Sequence, residues 1–391
     1  MSYRRLKADY LFDGFALLQN QVLICQNDGT IEGIIDEEIA GDDIEYHQGI
    51  LSPGFINCHC HLELSHLKGR IPEKQGLVNF VFSVVSMRNQ TMELKQEAIR
   101  TAESDMIKAG IVCVGDICNT DDTILLKSAN NIDYYNFIEV FGWAPEVASG
   151  RYENGKKLAQ LFIESSNGDK NVSLSPHAPY SVSDELWKLM RPDFRGKTVT
   201  IHNQESAAEN EFFKYGTGDL SRMYSLMKID SGHFRPPGSN SLPNYLHKLE
   251  NAGKIMLVHN TYMRDEDLKI SQEFRNKMFY CFCPNANIFI EDRLPEITIF
   301  EKYNTQIVLG TDSLASNHQL SILEEMKTIK NKYPLISTTH LLLWATSNGA
   351  NALSFEKKLG DFSRGKKPGV VLIENTLDGE ISSGSSSRRI L

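Results

Sequence analysis

The chain has 391 residues, 41 % of them apolar and 23 % charged, and its 50 Asp and Glu outweigh 41 Lys and Arg to leave a formal net charge of −9 at pH 7. This is the composition of an ordinary folded protein, long enough for two or three domains. The acidic balance argues against a nucleic-acid or membrane-surface binder, either of which usually presents a basic face.

At the start, Arg4, Arg5 and Lys7 give way to Asp9 and Asp13, which interrupt any signal-like apolar run. No stretch approaches the roughly 18 apolar residues of a membrane helix. The seven cysteines, an odd number without an export signal, are expected to be reduced thiols of a cytoplasmic protein. Residues 8–50 alternate short strand-like pieces with turn signals (QNDGT, AGDD), which predicts a β-rich unit without a helix.

From about residue 50 to 350 short β-branched runs alternate with longer amphipathic ones. The predicted strands are 54–62, 111–117, 134–141, 172–176, 198–202, 254–259, 278–283 and 306–310. Helical spacing is found over 92–108, 183–190, 265–276 and 320–330. Several strand runs are almost continuously apolar, as in parallel strands buried on both faces. Eight βα repeats over about 300 residues fit a (β/α)8 barrel of the α/β class, with a doubly wound sheet as the alternative. One segment breaks the rhythm: 216–240 is polar, rich in Gly and Pro, and longer than an ordinary connection, as lids often are. Residues 361–391 return to short strand-like pieces (VVLIEN, SSSRRIL). The expected organisation is a catalytic barrel over 51–360 and a small β-sandwich built from 1–50 and 361–391.

In a barrel the chemistry sits at the C-terminal ends of the strands. Five of the eleven histidines fall at such ends. They are His59 and His61 after the first strand, His177 after the fourth, His202 after the fifth and His259 after the sixth; Asp312 follows the eighth. His59 and His61, two apart on a strand, point to one side, and Cys58 and Cys60 to the other. Imidazoles with one carboxylate are ligands for Zn2+ or Fe2+, which makes His59, His61, His202 and Asp312 a metal-ligand set. Glu205, three residues after His202, places a second carboxylate beside the ion, where it can carry a proton. His259 could orient the attacking water or ligate a second ion. The run 172–176 has no lysine to bridge two ions, which favours one.

The segments PGFINCHCH, SPHAPYSVS, IHNQES, LVHN, CPNANIF and LGTDS, in this order, resemble the amidohydrolase superfamily, in its branch of cytosine, guanine and adenosine-type deaminases and triazine chlorohydrolases. The resemblance implies a (β/α)8 barrel with a composite sandwich and one divalent metal, Zn2+ or Fe2+, on His59, His61, His202 and Asp312. It implies that Glu205 shuttles protons and that Asp312 also contacts the attacking water. His259 then positions water and polarises the substrate, and His177 contacts a ring nitrogen. The implied reaction is hydrolytic deamination of an aminopurine, nucleoside or related heterocycle, with loss of ammonia. Dehalogenation, cyclic-amide hydrolysis or an inactive scaffold are the alternatives. Relatives are commonly homodimers, and neither nucleic acid nor membrane is expected as a partner.

Two stretches depart from the family pattern: Asn203 and Gln204 intervene before Glu205, and KKPGVVLIEN stands where a Gly-Lys-x-Ala-Asp stretch is common. LELSH and the 216–240 insertion resemble the aminodeoxyfutalosine deaminases, which act on an adenosine-like nucleoside. Glu63 could bind ribose hydroxyls or an exocyclic amine, or serve as a carboxylate at a helix start. Phe80, Phe82, Phe141 and Trp143 could form a stacking wall or be ordinary core. Cys281 and Cys283 are read as buried thiols, and His66 as structural or surface.

Overall fold

The computed structural model describes residues 3–165 and 171–391. Eight parallel strands form the barrel: β1 (Phe55–Cys60), β2 (Ile111–Cys118), β3 (Asp133–Val140), β4 (Val172–Pro176), β5 (Thr198–Asn203), β6 (Lys254–His259), β7 (Met278–Phe282) and β8 (Gln306–Leu309). They pair as two four-stranded arcs, β1 to β4 and β5 to β8. Two seams close the ring. At one, His202 N–H donates to the His177 carbonyl at 2.9 Å. At the other, Thr311 and Asp312 N–H both donate to the His59 carbonyl at 3.0 Å, and the Asn57 side chain donates to Thr311 Oγ1 at 2.7 Å. This second seam needs Gly310, because a Cβ there would stand 2.8 Å from His59 Cβ and 2.9 Å from Cys281 Sγ.

All eight predicted strands form, with their ends within two residues of those expected. The first stops at Cys60, and His61 already belongs to the turn into a 3-10 segment, Leu62–Leu67. Its pairing with β2 shifts register between Asn57 and Cys60, so the two thiols do not share a face. Cys58 packs with Ile56, Phe137, Met256, Val258 and Phe279, contributed by several strands around the ring, whereas Cys60 joins Leu62, Ile99 and Val114 in the layer toward the helices. The predicted helices appear over Met92–Lys108, Asp184–Met190, Asp265–Ser271 and Ile322–Lys332. Ser183 and Ser321 cap two of them through their hydroxyls, as short polar side chains do.

The segment 216–240 is not a plain polar connection. It contains a helix, Asp219–Met227, that begins beyond Gly218 and ends at Lys228 in the left-handed region. Its residues Leu220, Met223 and Tyr224 are buried, at the i, i+3, i+4 spacing of a packed helix face. The flanking Gly and Pro masked that spacing. Another helix the prediction did not name, Ala207–Tyr215, precedes it.

The two chain ends lie together. Tyr10–Phe12, Ile50–Pro53, Val370–Glu374 and Ser386–Arg389 share a five-stranded sheet with Leu17–Leu18. Tyr3–Lys7, Gln21–Gln26, Ile31–Asp36 and Glu45–Tyr46 form a four-stranded one. Leu6, Leu23 and Ile31 from the latter pack with Leu11, Leu51, Val370 and Leu372 from the former. The expected boundary at 50/51 falls inside Ile50–Pro53, whose partners are all terminal strands. The Ser-rich tail is paired through Ser386–Arg389, and a 3-10 turn, Glu37–Ile39, interrupts the strands predicted to have no helix between them.

Candidate metal centre and active site

The strand ends bring the predicted residues to one floor. His59, His61 and His202 each offer a ring nitrogen, all within 4.8 Å of one another. Asp312 Oδ1 lies 3.7 Å from His59 Nε2 and 3.5 Å from His61 Nε2. Three of the turns that deliver these groups are unusual: Gln204, His259 and Asp312 all have positive φ, at 45°, 70° and 55°. Non-glycine residues adopt this region at a cost, so surrounding bonds must hold it. Tyr262 N–H on the Gln204 carbonyl (2.9 Å) and Asn260 N–H on the Asn203 carbonyl (3.0 Å) do so across the β5 and β6 turns.

The hydrogen bonds fix which nitrogens face the floor. His202 Nδ1 lies 2.7 Å from the His177 carbonyl, which can only accept, so Nδ1 carries the proton and Nε2 keeps its lone pair. His259 Nδ1 likewise donates to Asn287 Oδ1 at 2.8 Å, because the Asn287 amide nitrogen is committed to Thr261 Oγ1. Its Nε2 stands 3.6 Å from Glu205 Oε1. Asp312 is steadied through its other oxygen, which accepts from Ser316 Oγ at 2.5 Å.

Burial sets the charge states. It lowers the pKa of all five imidazoles, taking His61 to about 3 and His177 to about 4, so they are neutral at pH 7, as metal ligands must be. Burial pushes Glu205 well up, and the nearby Asp312 and Glu291 add to it. For Asp312, burial acts upward too, but the adjacent His59, His61 and His259 outweigh it and hold the carboxyl below its usual range.

A cation fits this donor set. Both nitrogens of His59 are buried without a hydrogen-bond partner among the described residues, an arrangement that costs ~1–3 kcal/mol per stranded group unless something else binds it. An ion on His59, His61, His202 and Asp312 removes that cost at the ligating nitrogen of His59, and borderline imidazole donors with one carboxylate suit a divalent transition metal.

Above the floor lies a cavity of ≈ 270 Å³. His61, Glu63, His177, His202, Glu205, His259 and Asp312 all line it. His177 Nδ1 is 2.8 Å from Ser181 Oγ. Glu63 uses Oε2 to accept from Asn119 N–H, Thr120 N–H and Thr120 Oγ1, at 2.9–3.0 Å; burial raises it to about 7 against those bonds. Phe80, Phe141 and Trp143 stand on the wall, whereas Phe82 packs outside it. Met223, Tyr224 and Met227 from Asp219–Met227 form part of the roof.

Several residues escaped the sequence reading. Glu139, at the end of β3, has Oε1 3.6 Å from His202 Nδ1 and accepts from Asn119 Nδ2 at 3.0 Å. A lone carboxylate inside the apolar run NFIEVF at a strand end was the available signal. Asp116 accepts from Leu62 N–H at 2.9 Å and pairs with the buried Lys127 at 2.5 Å, so this ion pair fixes the turn just after His61. His66 is buried, its Nδ1 3.1 Å from the Glu63 carbonyl, and Cys281 and Cys283 are buried free thiols.

A closed barrel whose strand ends converge on three imidazoles and a carboxylate is the architecture of a hydrolytic metalloenzyme. The Amidohydrolase family profile matches residues 50–390, and the chain belongs to that family, hydrolases of carbon–nitrogen bonds other than peptide bonds that generally hold a divalent metal. The chain is 25 % identical over 356 residues to an aminodeoxyfutalosine deaminase of a Nitratiruptor species, covering 88 % of this chain and 84 % of that one. It is 27 % identical over 319 residues to an adenosine deaminase of Helicobacter pylori, covering 79 % and 75 %. The solved structure of Helicobacter pylori aminofutalosine deaminase with methylthio-coformycin superposes with a TM-score of 0.82 at 21 % identity, over 96 % of this chain and 94 % of that one. No helix among the described residues is long and apolar enough to cross a membrane.

Proposed function

We propose that this chain is a metal-dependent aminohydrolase that releases ammonia from the amidine-like carbon of an adenosine-type nucleoside. The observation that carries the reading is the pairing, on one buried floor, of a neutral imidazole donor set with Glu205, a carboxylate 3.6 Å from His259 Nε2 whose burial favours taking up a proton. His59, His61, His202 and Asp312 would hold the ion, Zn2+ in the first instance. When bound, the ion supplies a water whose pKa is lowered toward about 7.

The remaining steps belong to the side chains. Glu205 takes a proton from the attacking water at Oε1 and delivers it to the departing amine, as one carboxyl can do in both directions. His259, its Nδ1 proton spent on Asn287, presents Nε2 to the reacting centre beside Glu205. Asp312 accepts a hydrogen bond from the water while Ser316 holds its second oxygen. His177 offers Nε2 to a ring nitrogen. Glu63 serves the substrate from the edge of the cavity while its Oε2 pins residues 119–120.

A side pocket guides the choice of substrate. It shares Arg88, Asn119, Glu139 and Phe141 with the main cavity and adds Arg151 and Asn154. Arg151 lies 5.2 Å over the Phe141 ring. Two guanidinium groups on this extension suit a nucleoside whose 5′-substituent is long and acidic. This reading agrees with an adenosine-type substrate, and the names of the relatives support it. The two terminal sheets, which share one apolar cluster, read as a composite β-sandwich supporting the barrel, with divisions near 1–50, 51–360 and 361–391. Seven buried, unpaired thiols fit a reducing compartment.

The test is ammonia release by metal-quantified protein from adenosine, 5′-substituted adenosines, aminodeoxyfutalosine, guanine, cytosine and triazines. Turnover confined to adenosine-type nucleosides is expected; turnover of triazines alone would refute the substrate class. Glu205→Gln should keep its metal and lose about 10²–10⁴ in kcat; an unchanged kcat in that variant removes the proton-carrier role.

A further inference from the structure

We propose that Glu209 is a positioning residue that clamps the turn bearing Glu205 to the return end of the cavity roof, so that the two are placed together. The inference rests on the reading of Glu205 as the proton carrier. Glu209 lies on the helix Ala207–Tyr215 and is fully buried. Its Oε2 accepts from Gln204 N–H at 3.0 Å, and its Oε1 accepts from Ser241 Oγ. The two donors come from opposite ends of the region. Gln204 immediately precedes Glu205 and sits at φ 45°. Ser241 closes the segment that leaves the same helix at Gly216 and carries the roof residues Met223, Tyr224 and Met227.

Other bonds make this a junction. Asn210 Oδ1 accepts from Ser241 N–H at 3.1 Å, and Gly238 N–H donates to the Phe213 carbonyl at 3.2 Å, so the returning segment is tied to this one helix three times. Asn240 Nδ2 continues to the Asp267 carboxylate at 3.1 Å. On the other side, Gln204 is gripped at both its peptide groups, by Glu209 on its N–H and by Tyr262 N–H on its carbonyl. A left-handed turn at a residue with a Cβ relaxes when one grip is lost. Here relaxation rotates the next residue, Glu205, away from His259 Nε2. Tyr224 OH also donates to the Tyr180 carbonyl beside His177, so the roof is tied to the floor at a second point, independent of Glu209. A carboxyl so placed joins substrate enclosure to proton transfer without touching the substrate.

Two substitutions separate positioning from bulk stability. In Glu209→Gln the amide oxygen can still accept from Gln204 N–H while the amide nitrogen donates to a rotated Ser241 hydroxyl, so kcat should stay within about threefold. Glu209→Leu keeps the volume and removes both acceptors; kcat should fall by about 30–100-fold, with KM within about threefold and metal content unchanged, as misplacement of a reacting group by 1 Å can cost about 10². Combined with Glu205→Gln, the Leu substitution should add less than about twofold, because both act on one step. A multiplicative loss in the double variant, or wild-type kcat in Glu209→Leu, overturns the proposal.

Amide hydrogen exchange decides the point even if Glu209→Leu fails to fold or no nucleoside is turned over. Ser241→Ala removes only the roof side of the clamp, and exchange should quicken both at 238–242 and at 203–206. Faster exchange at 238–242 alone refutes the coupling. Absence of wild-type turnover would instead count against the deaminase reading, and the exchange result would still stand.

Discussion

The floor and the roof of the cavity are built on opposite principles. The floor is made of titratable groups at the ends of barrel strands, three of them locked by a named bond: His202 to the His177 carbonyl, His259 to Asn287, Asp312 to Ser316. The roof is made of apolar side chains from two helices, Leu77–Met87 and Asp219–Met227, held to each other and to Trp143 by packing, with Trp143 stacked on Tyr224 at 5.3 Å and 8°. Fixed charge and dipole geometry suits groups that must meet a transition state. Adaptable apolar contact suits enclosing a substrate and excluding water. The expectation is that floor substitutions act on kcat and metal, and roof substitutions act on KM.

The largest effect belongs to the most enclosed of the proposed ligands. His59 is fully buried, and no hydrogen bond from the described residues reaches either ring nitrogen. His59→Ala should abolish stoichiometric metal, read by elemental analysis of the purified protein, and lower activity by at least about 10³-fold. A variant that keeps both would break the floor side of the comparison outright.

The roof should respond more gently. Met223 is buried and faces the cavity from Asp219–Met227. Met223→Ala is expected to raise KM about 5–10-fold with kcat within about threefold, as loss of an apolar contact is worth ~1–3 kcal/mol. Steady-state kinetics on the best nucleoside checks it. An equal fall in kcat with unchanged KM would mean that the roof also organises the chemistry.

This contrast also explains what could be read from the sequence. The floor was legible because His, Asp and Glu at strand ends are rare enough to stand out, and because alternating apolar runs placed the strand ends to within a residue or two. His61 stood in the expected place although its strand stops at Cys60. The shift between Asn57 and Cys60 was not legible, since it arises from pairing with a neighbouring strand. Glu139 and the Asp116–Lys127 pair were hidden for the same reason: their partners, His202, Asn119 and Leu62, are distant in sequence. The roof left still less trace. A Met or Leu facing substrate has the same helical spacing as one facing core, and only the folded chain brings Val81 and Met227 to the lining of one cavity.

The last consequence separates the two regions by pH. A desolvated floor is surrounded by buried carboxyls, and Glu325 is one that touches no proposed ligand side chain. It accepts from Asn285 N–H, Asn285 Nδ2 and Asn317 Nδ2 at 2.8–3.0 Å, and Asn317 also donates to the Thr311 carbonyl beside Asp312. Burial raises Glu325 to about 8 in spite of those donors, whereas an unfolded chain releases that proton near about 4.3. The folded state therefore holds the extra proton between these values. The stabilisation is fully present below about 4.3 and is lost as pH rises toward 8, with a slope of up to ~1.4 kcal/mol per pH unit. Glu325→Gln removes that titration. Urea midpoints at pH 5.5 and 7.5 should show the wild type losing on the order of 1–3 kcal/mol relative to the variant over that interval. Met223→Ala, which removes no titrating group, should run parallel to wild type across the same range. If Glu325→Gln also runs parallel, the carboxyl titrates in its ordinary range despite its burial, and the floor is less desolvated than its geometry implies.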